Sequence, residues 1–222
     1  MTTQTHLPLT DTSDMIGLHN IFREALSHAP TLVGTTPVGD TTRAELVGTY
    51  YDNVLRLLHA HHEGEDELMT PLLAARCEPG EVTDVERIAA QHGSMLRDLH
   101  VMEECLAVWR RTPAGQQRDH LLAAAGALQA SLTAHLGEEE RVILPIAARH
   151  LTAAEWAQLP RHGMATFTGD KPWLMMGLVR DQMSPAQAQH MDASMPAPVA
   201  AMWKASGRPT YSTYLTALHT TT

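Results

Sequence analysis

Two segments of this chain carry the same pattern of chemically active residues, and that repetition constrains the fold more than any other feature. His61-His62-Glu63-Gly64-Glu65-Asp66 begins ten residues before Pro71, and His135-Leu136-Gly137-Glu138-Glu139-Glu140 begins ten residues before Pro145. Each contains His-x-x-x-Glu with a glycine close by. The upstream partners repeat as well, since His19 precedes His61 by 42 residues and His92 precedes His135 by 43. The chain therefore reads as two helical hairpins, each with one histidine on its first helix and His-x-x-x-Glu on its second. A pseudo-twofold axis relating them would gather four histidines and two glutamates.

The surrounding sequence supports helices of the required length. Apolar residues make up 44% of the chain but aromatics only 5%, and the abundant alanine, leucine and methionine favour helix over strand. A first helix is expected over residues 13–27, where Met15, Leu18, Phe22 and Leu26 form one apolar stripe that includes His19. Residues 29–40 read as a Pro/Gly/Thr-rich loop. A long helix follows over 43–76, with Pro71 as a kink or break near its end. After the turn at Glu78-Pro79-Gly80, one helix is expected to open on a capping box at Thr83 and Glu86 and run to Arg111. A fourth covers 116–150, with Pro145 near its end. Short connections between four such helices imply an all-α, antiparallel up-down four-helix bundle over residues 1–150. Residues 151–222 carry seven of the twelve methionines and three of the four tryptophans. They are expected to form short helices packed on the bundle as a C-terminal extension.

Charge and composition narrow the function classes. A net charge of −9 without a dense lysine/arginine cluster argues against nucleic acid. Residues 1–14 lack the cationic start and apolar run of a secretory leader. No stretch approaches the ~20 apolar residues that span a bilayer, so a cytoplasmic, membrane-free protein is expected. The two cysteines, Cys77 and Cys105, have no metal-type spacing; on a helix opening at Thr83 and rising 1.5 Å per residue, Cys105 stands about 33 Å from the start that Cys77 precedes. Free, buried thiols are expected. The 14 histidines are the anomaly. About half of them, such as His6, His28, His120, His150, His162, His190 and His219, read as surface residues.

Residues i and i+4 on a helix project from one face, one turn apart. An imidazole and a carboxylate so placed can share one metal ion, and the carboxylate can reach a second ion across the bundle. Nitrogen and oxygen donors without thiolate suit iron or manganese. Taken singly, a histidine on an apolar stripe reads as a hydrogen-bonded core residue, and a lone His-x-x-x-Glu as an exposed pair of little energetic value. Neither explains the doubling, and buried glutamates without partners would be costly.

At these residues the sequence resembles the hemerythrin-like, or HHE cation-binding, family over roughly residues 14–150: the four histidines fit, as do HHEGED before Pro71 and HLGEEE before Pro145. The resemblance implies an oxo- or hydroxo-bridged pair of iron ions held by His19, His61, Glu65, His92, His135 and Glu139, with the two glutamates bridging. It implies reaction with or binding of a small oxidant, namely O2, hydrogen peroxide or nitric oxide, including catalase- or peroxidase-like breakdown of peroxide. The other readings are an O2, redox or iron sensor and a metal-binding module without turnover, zinc included.

One departure stands out. The oxygen-carrying members have a further histidine one turn after the one matching His92, where this chain has Leu96. Two six-coordinate ions then keep two open positions, one more than in the carriers, which suits a reactive centre. His62 either adds a ligand, or sits beside the open position, or pairs with Asp66 on the helix rim. His59 is expected to point elsewhere, and Tyr50 lies about three turns from His61. Gly64 and Gly137 clear space either for the metals or for helix contact. The methionines of the extension, Met175, Met176, Met183 and Met191, either cap the bundle or face a partner, whether a second copy or another protein.

Overall fold

A computed structural model describes residues 9–220, and among these every regular element is helical. His6 and most of the leader comparison at residues 1–14 lie outside the described residues. The elements are α1 (Ser13–Ser27), α2 (Ala29–Leu32), α3 (Thr41–Gly64), α4 (Thr70–Arg76), α5 (Pro79–Ala89), α6 (His92–Arg111), α7 (Gly115–Glu138), α8 (Leu144–His150), α9 (Ala153–Trp156), α10 (Gln158–Thr166), α11 (Pro172–Asp181), α12 (Pro185–Ser194), α13 (Ala197–Met202) and α14 (Arg208–His219). The long helices form a bundle in which α3 packs on α6, α6 on α7, and α1 on both α3 and α7.

The α1 stripe forms as its periodicity dictates, burying Met15, His19, Phe22 and Leu26 on one face. Helix α3 starts where Asp40 accepts a hydrogen bond from the Arg43 backbone N–H at 2.8 Å, satisfying one otherwise orphaned donor. Three expectations need correction. The loop over 29–40 contains a helical turn, α2, whose Ala29 and Leu32 are buried in the core. The helix expected over 83–111 is two helices separated at Ala90-Gln91, and it is not capped at Thr83. Instead Glu78 precedes Pro79 at the helix start, and Glu81 reaches back to the Glu78 backbone N–H at 3.3 Å. Proline is suited to that first turn because its missing N–H has no intrahelical partner there.

The third concerns Pro71, expected as a kink or break: the chain stays helical through it, as it does through Pro145. Each is preceded by a π-helical turn, Glu65–Met69 and Glu139–Ile143. The residue just before each proline donates five residues back, Thr70 to the Glu65 carbonyl and Leu144 to the Glu139 carbonyl. A proline ring clashes with the carbonyl four residues upstream and offers no N–H; widening the turn relieves both problems while the helix continues. A third π turn, Trp203–Gly207, precedes Pro209 in the same way.

The buried apolar residues form two clusters. One fills the bundle around Phe22, Tyr51, Leu58, Met95, Leu99, Leu128 and Leu132. The other lies beyond the π turns, around Met69, Leu73, Val85, Ile88, Ile143 and Leu144. Along the chain the repeated His-x-x-x-Glu segments fall between them. The extension joins the first cluster through Leu174, Met175, Trp203, Tyr211 and Leu218. Buried Asn53 on α3 anchors it, accepting from the Lys171 N–H at 3.0 Å and donating to Asp170 at 3.0 Å. Met175 is buried and Met176 packs partly buried against the same core, so these two fill gaps in it. Cys77 and Cys105 are free, as expected, but only partly buried.

Candidate metal centre

Six residues singled out by the repeat come together in one buried layer: His19 from α1, His61 from α3, Glu65 and Glu139 from the first residues of the two π turns, His92 from the start of α6 and His135 from α7. His62 joins them. Their donor atoms fall into two groups, each with all members within 4.8 Å of one another: His19, His61, Glu65 and Glu139, and His62, Glu65, His92 and His135. Glu65 belongs to both. Its two oxygens face different histidines, Oε1 lying 3.3 Å from His61 Nε2 and Oε2 3.5 Å from His92 Nε2. Glu139 Oε2 lies 3.4 Å from His19 Nε2 and 3.6 Å from His135 Nε2.

The outer ring nitrogens are held by hydrogen bonds. His19 Nδ1–H donates to Glu140 at 2.8 Å, His92 Nδ1–H to Asp66 at 2.7 Å, and His135 Nδ1–H to the Gln91 side-chain oxygen at 2.9 Å. These partners assign the proton to Nδ1 and leave the Nε2 lone pair aimed into the layer. The two acids cross between hairpins: Asp66 follows Glu65 and supports the histidine of the second hairpin, while Glu140 follows Glu139 and supports that of the first. Arg23 fixes Glu140 at 2.7 Å. Gln91 is itself oriented by donating to Glu138 at 2.6 Å.

Sequence reasoning missed these supporting residues, although a signal existed. Both His-x-x-x-Glu motifs are followed at once by an acid, and Gln91 directly precedes His92. The rim pairing of His62 with Asp66 does not form, because Asp66 is committed to His92. His62 instead stacks on the His92 ring at 4.6 Å between centroids. The symmetric position is Leu136, so the fifth histidine breaks the pseudo-twofold pattern. His59 does point elsewhere, toward Glu103 at 3.2 Å. Neither glycine makes room for the layer: a Cβ at Gly64 would meet His162 of α10 at 3.3 Å, and one at Gly137 would meet nothing within 4 Å.

The layer is electrostatically unsatisfied by protein atoms alone. Glu65 and Glu139 are each 1% exposed and His62 is 2% exposed. All four carboxylate oxygens, both His62 nitrogens, and the Nε2 atoms of His19, His61 and His135 have no hydrogen-bond partner. Burial pushes the Glu139 carboxyl up to about 7, and Glu65 well above the usual range by burial and then by the Glu139 charge. Burial pulls His19 down to about 4 despite Glu140. It pulls His135 to about 3, with His92 and His19 adding to the effect. Neutral imidazoles and carboxylates with nowhere to place their charge are a costly core, and cations among these donors remove the cost. The residues present therefore fit a pair of metal ions. A cavity of about 10 Å³ adjoins the layer, lined by Glu65, His92, His135 and Glu139 together with the apolar Met69, Leu73, Val85, Ile88 and Ile143.

No helix among the described residues is long and apolar enough to cross a membrane. No curated protein and no solved structure matches the chain. The family described as the hemerythrin HHE cation-binding domain matches residues 11–147, which contain the whole layer, and the chain belongs to that family.

Proposed function

We propose that the layer holds two iron ions bridged by Glu65 and Glu139, that one is completed by His19 and His61 and the other by His62, His92 and His135, and that the pair binds or reacts with a small oxidant: O2, peroxide or nitric oxide. The observation that carries this reading is a layer of seven side chains in two groups that share Glu65, six of which carry buried donors with no hydrogen-bond partner. Nitrogen-rich, thiolate-free donor sets suit iron, and an iron pair would supply the redox chemistry that these side chains lack. With His62 as a ligand, five histidines and two bridging carboxylates occupy nine of twelve octahedral positions. With a solvent-derived bridge taking two more, one would stay open, so that His62 would offset the histidine missing at Leu96. The centre is then as closed as in the oxygen-carrier pattern, in contrast to the two open positions expected without His62.

The protein's part is to position and exclude. Asp66, Glu140 and Gln91 hold three imidazoles in the tautomer that presents Nε2. Met69, Leu73, Val85, Ile88 and Ile143 give the adjoining cavity an apolar lining, and its size of about one water molecule suits a small ligand. In this reading α1, α3, α6 and α7 form the antiparallel four-helix bundle, and residues 151–222 are a helical extension packed on it. The test is metal analysis together with a visible spectrum before and after peroxide. Two irons per chain, with an oxo-bridge absorption band that changes on adding peroxide, are expected. A single ion per chain, or a colourless zinc protein, would overturn the proposal.

A further inference from the structure

We propose that His59, His100 and Glu103 form a second, mononuclear site for a divalent ion of the zinc type on the outside of the bundle. The three residues lie on facing helices. His59 is on α3, and residues two apart on a helix point about 200° apart, so His59 faces away from the layer that receives His61. His100 and Glu103 are three apart on α6 and share one of its faces. Their donor atoms come within 4.8 Å of one another.

The Glu103 carboxylate sits between the two rings. Its Oε1 lies 3.2 Å from His59 Nε2 and its Oε2 3.1 Å from His100 Nδ1, with the ring centroids 5.7 Å apart. Two donors on a tetrahedral zinc ion at 2.0–2.2 Å stand about 3.3 Å apart, so these spacings need little adjustment to close on one ion. Two imidazoles and one carboxylate are borderline donors that favour zinc or copper over magnesium or calcium. A fourth position faces solvent, since His100 is exposed and the other two are half-buried.

Competition from protein cations separates this cluster from a similar one. At Cys77, Glu81 and His150 the carboxylate is already taken by Arg149 at 2.6 Å. Glu103, by contrast, is paired among the described residues only with the two imidazoles. Arg56, close enough for the Glu103 charge to act on it, is committed to Asp52 at 3.0 Å. An ion here would clip α3 to α6, the helices that present His61, His62 and His92 on their inner faces. The inference does not depend on which metal the buried layer holds.

The test uses the full chain with its buried layer already loaded and loose ions removed. Zinc titrated by equilibrium dialysis with metal analysis should bind as one further equivalent. His100→Ala and Glu103→Gln should each weaken that binding at least tenfold while leaving the buried metal content unchanged, and Cys77→Ser should leave it unaltered. With copper(II) as the probe, the electron paramagnetic resonance spectrum should show two coupled nitrogens in the parent and one in His100→Ala. No further equivalent, or one retained with unchanged affinity in both His100→Ala and Glu103→Gln, would overturn the site. Loss on Cys77→Ser would do so by moving the ion to the other cluster.

Discussion

Replacing His62 by leucine should move the stability of the metal-free and metal-loaded proteins in opposite directions. His62 is 2% exposed and neither ring nitrogen has a partner. A buried polar group left unsatisfied costs about 1–3 kcal/mol. Leucine is of similar bulk, and Leu136 already fills the pseudo-symmetric position at 0% exposure. The metal-free variant should therefore gain about 1–3 kcal/mol, which at roughly 2–4 °C per kcal/mol for a chain of this size raises Tm by several degrees. In the proposed centre the loaded variant loses one of seven ligating side chains. A hundredfold loss of affinity removes about 2.7 kcal/mol of metal-linked stability, enough to cancel or reverse the gain. Calorimetric melting at fixed free metal, with and without loading, gives the diagnostic quantity, the Tm increment produced by the metal. It should shrink in His62→Leu although the metal-free Tm rises. A metal-free variant that melts lower would show that His62 is satisfied within the core. An undiminished increment with full metal content would show that it is not a ligand.

Other outcomes follow from the same geometry. Asp66→Asn and Glu140→Gln should each weaken metal retention about 10–100-fold, measured by competition with a chelator, since each removes the charge that orients one imidazole. In the metal-free protein, the depressed values of His19, about 4, and His135, about 3, mean that the unfolded chain takes up protons before the fold does. Stability is then lost as pH falls below 6.5, at about 1.4 kcal/mol per unit per group. The raised Glu139, about 7, has the opposite sense, costing stability as pH rises above 4.5. Two imidazoles outweigh one carboxyl between pH 4.5 and 6.5, so denaturant melts should find stability rising to a maximum near pH 6.5, and a monotonic rise through pH 7 would contradict the assignment. Gly177→Ala should destabilise the chain by about 1–3 kcal/mol through overpacking, because its Cβ would fall on the Tyr211 ring. Metal content should be unaffected if the extension is structurally separate from the layer.

Much of the centre could be read from local spacing alone. The i, i+4 relation of His61 to Glu65 and of His135 to Glu139 needs only a helix to put both side chains on one face, and the 42- and 43-residue intervals match two equal hairpins. Helix α1 was legible to its ends for the same reason. The prolines were visible too, but their effect was not. Whether a proline breaks a helix or widens one turn depends on whether the residues beyond it are held by packing, as Leu73 and Ile146 are. The division at Ala90-Gln91 had no comparable local mark, and neither did the docking of the extension through Asn53.

Order along the chain sets the donor inventory: which helices carry imidazoles and carboxylates, and on which face. Tertiary structure decided how the donors are used. Asp66 and Glu140 each support the histidine of the opposite hairpin, and that exchange exists only once the hairpins are laid together. His62 was ambiguous as one of two adjacent histidines until Asp66 was drawn to His92, leaving it unpartnered among the second group of donors. The physical reason is one of range. Helical periodicity fixes direction within a single segment over a few turns, whereas a hydrogen bond or a metal ligand is fixed to tenths of an ångström by the relative placement of helices, which no local period encodes.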